Sequence, residues 1–476
     1  MCFSDLKLRK LHLPTYINNL NDYQLEAIEK LKINNWRGIL EMATGTGKTI
    51  TSIAASMEYL KINGRIFLIV VVPFNHLVEQ WEENIISFGY KVPIKCYDSK
   101  NSWYHKLNRR IKDYNVRLTN CESLIVSYKT FSSPDFQELC SKIKDNGFFI
   151  ADECHYIGSS ALRECMPESF KVRVGLSATP DRWFDEEGTE SLRNYFGDTI
   201  FEYDMKMALD NNFLCQYEYE PIRINLTAGE YEQYSSLTQR IINMLLADKK
   251  IEEDSILQRM ILKRAEILSK AENKLPVFME LLKEQLKTEE VKHTLVYCSK
   301  GDSQRVTKLI SELGIRAHEF VYKVSNSDRQ KILESFAKGD IQVLVAIKCL
   351  DEGVDVPGTR TAYFLSSTSN PREFVQRRGR ILRKAPGKHM AKIIDFIVFP
   401  PGKTLNGGGI DSMDSSIIEK EMPRFAEFYR YAFNSGYARG VIRKYLSPYN
   451  LEYLMDKLPW QVYKERKEKF SYEQED

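Results

Sequence analysis

The 476-residue sequence predicts an α/β protein of two tandem domains, each a parallel sheet flanked by helices, with a helical connector between them and a helical C-terminal tail. Three observations predict it. Short aliphatic strands alternate with amphipathic helices through the first half, the pattern of a parallel sheet with right-handed crossovers. The same rhythm returns beyond residue 290. Between the two, from about Leu226 to Glu290, the chain is charged, helically spaced and free of strand-like runs. The expected boundaries are 1–222, 223–290, 291–400 and 401–476.

In chain order, Arg37 to Met42 (RGILEM) reads as a strand, followed by a Gly/Thr turn and a helix from about Lys48 to Leu60. That helix carries Ile50, Ile53, Ala54 and Met57 at three- and four-residue spacing. Arg65 to Pro73 (RIFLIVVVP) is a nearly unbroken aliphatic run, as expected of a strand covered on both faces. A helix over His76–Phe88 follows, then strands at Ser123–Ser127, Gly147–Ala151 and Val172–Leu176. In the second half, His293–Cys298, Ile341–Ile347, Thr361–Leu365 and Lys392–Val398 read as strands, and Ser327-Asp328-Arg329-Gln330 opens a helix with a capping-box pattern. Past Pro400 a Gly-rich break, Gly407 to Gly409, leads into the tail. Phe425, Tyr429 and Phe433 repeat there every four residues, a stripe expected to dock on the body.

Bulk composition is that of an ordinary globular protein, 43% hydrophobic and 12% aromatic, which excludes a disordered or low-complexity chain. No apolar run approaches the roughly 20 residues that span a bilayer, and the N-terminus has no apolar core behind its charges, so a soluble cytoplasmic protein without membrane association is expected. The 9 cysteines form no CxxC pair, against both a zinc module and a disulfide framework. Net charge is only +3, from 68 basic and 65 acidic side chains, so any contact with nucleic acid must come from local patches.

Met42 to Thr49 (MATGTGKT) lies between a strand and a helix, the context a phosphate-binding loop requires. Its cradle is Thr44, Gly45, Thr46, Gly47, Lys48 and Thr49. The glycines let backbone N–H groups face phosphate oxygens, and the following helix adds its positive end. Lys48 is suited to the β- and γ-phosphates and Thr49 to Mg²⁺; Met42 stands where the general pattern has its first Gly. Phe148 to His155 (FFIADECH) is an apolar strand ending in two carboxylates. Asp152 is placed to hold Mg²⁺ and Glu153 to orient and deprotonate a water. Alone the pair also reads as a solvated turn, but downstream of a phosphate loop the chemical reading wins. Ser177-Ala178-Thr179-Pro180 fits a coupling element and a plain turn equally. Gln376 to Arg383 (QRRGRILR) lies on a predicted helix, with Arg380 and Arg383 three apart on one face: a pair suited to a γ-phosphate, or a solvated basic face.

The order of these motifs resembles the superfamily 2 helicases, and among them the branch of the type I and III restriction motor subunits and the duplex-DNA translocase of the transcription-factor helicases. The resemblance covers about residues 15 to 400. It implies two RecA-like domains that hydrolyse ATP with Mg²⁺ in the cleft between them. Tyr23-Gln24 resembles the motif whose Gln reads adenine. Val71-Val72-Pro73 with Glu79-Gln80-Trp81 resembles motif Ia and Ile125–Phe131 motif Ib, both of which contact the tracked strand in that family. Asp152 and Glu153 match motif II, Ser177 to Thr179 motif III, and Tyr297-Cys298-Ser299 motif IV. Leu350 to Pro357 looks like motif V, with nucleotide and coupling roles implied for Gly353 and Asp355. Gln376, Gly379, Arg380 and Arg383 match motif VI, the arginines that a second domain would bring to the first domain's phosphates.

Two departures stand out. Motif II reads DECH, which also occurs in relatives of the duplex-RNA-sensing helicases, and motif V carries Ile347 and Lys348 where many relatives place a nearby Thr. The expectation is an ATP-dependent DNA helicase or translocase, DNA being favoured over RNA as the partner, with the tail available to a protein partner. The alternatives are a nucleotide-gated duplex-binding clamp or sensor without unwinding, and an RNA helicase.

Overall fold

The computed structural model describes residues 20–183, 185–246, 253–321, 326–347, 356, 358–366, 370–401, 412–462 and 465. Gly353, Asp355, Lys348 and the Gly407–Gly409 break lie outside the described residues. The chain divides into two units, Met1–Asn211 and Asn212–Asp476.

The first unit is built on a seven-stranded sheet, all of whose pairings are parallel. Its strands are β1 (Arg37–Met42), β2 (Ile66–Val72), β3 (Ile94–Cys96), β4 (Cys121–Ser127), β5 (Gly147–Asp152), β6 (Val172–Ser177) and β7 (Thr199–Tyr203), in the order β3-β4-β2-β5-β6-β1-β7. The central strands are buried along their whole length, as IFLIVVV in β2 requires. One face is closed by Trp103, Leu107, Ile111 and Tyr114 of the helix Lys100–Asn115, and by Phe131, Phe136, Phe149, Phe170 and Phe196. The edge strands β3 and β7 carry too few apolar residues to stand out from the sequence.

The second unit has a six-stranded parallel sheet. Its strands are β8 (Gln216–Asn225), β9 (Thr294–Tyr297), β10 (Ala317–Phe320), β11 (Val343–Ala346), β12 (Thr361–Phe364) and β13 (Met390–Phe399), in the order β10-β11-β9-β12-β13-β8. Here the expected boundary at 222 is corrected. β8 precedes that boundary for most of its length, yet it pairs with β13 from Gln216↔Met390 to Asn225↔Phe399. Its alternating QYEYEPIRIN pattern is that of an edge strand, which also tolerates Pro221.

The expected connector forms helices Ala228–Leu246, Glu253–Ser269 and Lys274–Thr288. They are not a separate body: Tyr234, Leu268, Phe278 and Leu282 share one core with β9, β11 and β13 residues such as Val296, Val345 and Phe396. In the tail, the helix Ser412–Tyr429 buries Ile417, Ile418, Met422, Phe425 and Phe428. Of the expected docking stripe, Phe425 is buried and stacks on Tyr429 at 4.8 Å, but Phe433 is 71% exposed because the helix ends at Tyr429. No described helix is long and apolar enough to cross a membrane.

Candidate active site

In the first unit, the phosphate-loop residues leave the carboxyl end of β1. Gly45 and Gly47 take left-handed φ values of 91° and 82°. Gly47 N-caps the helix Lys48–Asn63 without a side chain, so no side-chain cap occupies the N–H groups of its first turn. At φ 82° any side chain on Gly47 would be strained, and its Cβ, 2.7 Å from Gln24 Nε2, would have to displace that amide. Gln24 is buried and donates to Thr51 Oγ1 at 3.2 Å while its Oε1 accepts from Asn21 N at 3.0 Å. Its neighbour Tyr23 donates to Thr46 O at 2.7 Å and stacks on Tyr203 at 4.0 Å. These contacts brace the loop from behind. Inside it, Thr46 Oγ1 donates to Ala43 O and Lys48 Nζ to Met42 O, at 2.7 and 2.9 Å. The buried Thr44 Oγ1 has no hydrogen-bond partner among the described residues. A buried hydroxyl without a partner, uncapped N–H groups and a nearby lysine are what an anionic phosphate chain would satisfy.

Asp152 and Glu153 stand at the carboxyl end of β5, on the same edge of the sheet. Asp152 Oδ2 accepts from Trp81 Nε1 at 2.9 Å, Oδ1 from Glu153 N at 3.0 Å, and its carbonyl from Tyr128 OH at 2.8 Å. Burial, and then the Glu153 charge, push the Asp152 carboxyl up to about 6; the Trp81 hydrogen bond and the Lys48 charge pull it back. Lys48 and Asp152 thus feel each other's fields, and a buried carboxylate under such strain would be relieved by a cation. Glu153 adopts φ 46°, left-handed for a residue with a Cβ. Its buried Oε2 accepts no hydrogen bond among the described residues, and His155 Nδ1 lies 3.5 Å away. His155 Nδ1 also lies 3.4 Å from Ser177 Oγ, which accepts from Thr179 N at 3.1 Å, so the DECH segment touches the end of β6.

In the second unit, the helix Pro371–Ile381 holds Gln376, Gly379 and Arg380. The helix stops short of Arg383, whose N donates to Arg380 O at 3.4 Å in a turn, so the expected single helix face for Arg380 and Arg383 is not formed. Two residues the sequence reading passed over organise this helix. Arg378 is fully buried, pairs with Glu427 at 2.6 Å and lies over the Phe428 ring. Arg377 lies over Tyr297 at 4.9 Å.

The sequence reading also missed Trp81 as a partner of Asp152. The signal was present: Leu77, Val78, Trp81 and Ile85 form the buried face of the helix Asn75–Ser87, and a buried indole N–H must find an acceptor.

Comparison with known proteins follows the same division. The model of the type III restriction enzyme res subunit matches residues 17–182, and that of the helicase conserved C-terminal domain matches residues 274–385. The DNA 3'-5' translocase XPB2 of Sulfurisphaera tokodaii is 27% identical over 381 residues, 77% of this chain and 79% of that protein. Among solved structures, the ATP-dependent type ISP restriction-modification enzyme LlaBIII bound to DNA aligns with TM-score 0.59 at 18% identity, over 86% of this chain and 30% of that one. The helicase domain of Pyrococcus furiosus Hef aligns with TM-score 0.52 at 18% identity, over 81% of this chain and 97% of that one.

Proposed function

Because this chain belongs to the superfamily 2 helicases, in the branch of the restriction motors and XPB-like translocases, and is an ATP-hydrolysing enzyme, we propose that it couples hydrolysis to movement on, or remodelling of, duplex DNA. The observation that carries this reading is the pairing of the Lys48 loop with the Asp152–Glu153 carboxylates at one sheet edge, electrically linked and with Thr44 Oγ1 and Glu153 Oε2 making no hydrogen bond among the described residues. In this reading ATP lays its phosphates on the loop's N–H groups and Lys48, with Gln24 behind the loop. Thr49 and Asp152 would hold Mg²⁺, which supplies charge neutralisation of the phosphates. Glu153 orients the attacking water and takes its proton. Gln376, Arg380 and Arg383 are the residues that would stabilise charge on the transferring phosphoryl group. DNA contacts are to phosphates, and so tolerant of sequence and sensitive to salt.

A protein partner, if one binds the tail, would meet it beyond Tyr429, because the helix before that point is packed on the second sheet. The free cysteines, with no disulfide among the described residues, support a cytoplasmic location.

The test is steady-state ATPase with single-stranded, duplex and forked DNA and with duplex RNA, for the wild type and Glu153→Gln. Stimulation by duplex or forked DNA, lost in the variant while ATP still binds, is the expected result. Stimulation by RNA alone would make the protein an RNA helicase, and no stimulation by any polymer would leave the duplex-binding clamp.

A further inference from the structure

Every exposed phenylalanine, tyrosine or tryptophan among the described residues falls between Phe433 and Trp460. They are Phe433 at 71%, Tyr437 at 62%, Tyr453 at 47% and Trp460 at 52% exposure, in a chain that buries most of its other rings. Exposed rings gathered in one short stretch mark a surface with a partner.

The stretch is rigidly mounted. The helix Ser435–Leu446 buries Ala438, Ile442 and Leu446 on one side. Asn434 fixes its start, its Oδ1 accepting from Tyr219 N at 2.8 Å and its Nδ2 donating to Tyr219 O at 3.2 Å. Arg439 ties it to the turn carrying Tyr453 by a 2.7 Å bond to Asp456 Oδ2. On the other side, Tyr437, Gly440 and Lys444 follow at three- and four-residue spacing and are exposed together with Gly436 and Arg443. Glycine weakens a helix interior, and neither of these two relieves any crowding, since an added Cβ would meet nothing within 4 Å. Gly436 leaves the helix backbone bare just before Tyr437, and Gly440 leaves it bare between Tyr437 and Lys444.

Charge chooses the ligand. From residue 430 to 460 the basic residues are Arg430, Arg439, Arg443, Lys444 and Lys457, and the acidic ones Glu452 and Asp456, a net of 5 − 2 = +3. The whole 476-residue chain has the same net charge of +3. Asp456 is already engaged by Arg439 and Tyr429, and Glu452 by Ser447. Lys457 is paired with Glu465 and Arg443 acts on Glu452 through its charge, but Arg443 and Lys444 form no ion pair among the described residues. Flat rings beside such cations suit unpaired bases on a phosphate backbone.

We propose that the C-terminal extension carries a single-stranded nucleic-acid binding face, with Phe433, Tyr437, Tyr453 and Trp460 stacking on bases and Arg443 and Lys444 holding phosphates. The face belongs to the second unit and the phosphate loop to the first, and its existence does not depend on the assigned roles of Lys48, Asp152 or Glu153.

The test measures binding of a labelled oligothymidylate to the full chain without nucleotide, for Phe433→Ala/Tyr437→Ala, Tyr453→Ala/Trp460→Ala and Arg443→Glu/Lys444→Glu. Each aromatic double variant is expected to weaken binding about tenfold or more. The charge variant should flatten the dependence of affinity on salt by about one to two units of slope. ATPase without nucleic acid should match the wild type in all three, which also reports that they are folded. Wild-type affinity and salt slope in every variant would overturn the proposal. So would unchanged oligonucleotide binding with a loss of self-association, which would make this face a contact between copies of the chain.

Discussion

The indole of Trp81 and the carboxylate of Asp152 form the pair whose removal is most informative. Hydrogen bonds to charged groups contribute about 1.5–3 kcal/mol. Trp81→Phe keeps the ring and deletes the N–H that Asp152 Oδ2 accepts. The expected outcome is a Mg²⁺ requirement for nucleotide binding raised about tenfold, with binding in the presence of a chelator unchanged. Equal losses with and without Mg²⁺ would mean that the tryptophan only fills space. Glu41, one residue before the loop, offers a test of another kind. Burial, then the charges of Glu202 and Asp181, push its carboxyl up to about 7 from an ordinary 4.5, against the pull of Arg193 and Thr199. A raised folded value means that the proton is bound more tightly in the native state. Its stabilisation is therefore complete below pH 4.5 and is lost as pH rises through 7. Glu41→Gln should flatten the decline in urea stability between those pH values and be more stable than the wild type at pH 8 by about 1–2 kcal/mol. A steeper decline in the variant would contradict the assignment. Both residues show where sequence legibility ends. Glycines, a lysine and paired carboxylates announce themselves by type and spacing. The acceptor of a buried N–H, and the burial of a carboxyl in a strand, depend on neighbours remote in the chain.

At the level of elements, strands with unbroken aliphatic runs, such as β2 and β5, were legible because burial on both faces demands that composition. The short edge strands β3 and β10 and the alternating β8 were not, since a half-exposed strand of mixed residues looks like loop until its neighbour is known. The helix carrying Gln376 and Arg380 was legible as a helix, but its end and its anchor were not. The anchor is Arg378, buried against Glu427 of the helix Ser412–Tyr429. Removing one partner of a buried ion pair leaves the other without compensation, at a cost of about 3–5 kcal/mol. Glu427→Ala should lower the stability of the second unit by about that amount, whereas Glu427→Gln, which keeps an acceptor, should lose less. Urea unfolding of the two variants checks the order; a reversal would show that packing over Phe428, and not the charge, holds Arg378.

For the whole molecule, the sequence divides the chain by composition, while the structure divides it by where cores close. Residues 401–476 read as an appendage because a break precedes them. Yet the helix Ser412–Tyr429 supplies Arg424, whose Nε donates to both oxygens of Asp395 at 3.0 and 2.9 Å, and Arg424 Nη2 donates to Glu421 at 2.8 Å. Asp395 is completely buried in β13, where Tyr219 OH also donates to it at 2.9 Å. Burial, and to a lesser degree the Glu421 charge, push the Asp395 carboxyl up, and Arg424 is the charge that opposes this. A chain ending at residue 401 would leave Asp395 without the Arg424 charge, with Tyr219 as its remaining donor, would leave Arg378 without Glu427, and would expose the surface that Ile417, Phe425 and Phe428 cover. The second unit of such a chain is expected to lose its cooperative unfolding transition, while the first unit, whose sheet and core lie wholly before residue 212, retains its own. Limited proteolysis should accordingly leave a resistant fragment ending near Asn211 from the truncated chain, and a second resistant fragment only from the full one. Two protected fragments from both chains would show that the extension is dispensable to the fold, and would leave the buried Asp395 of β13 to be neutralised by protonation instead.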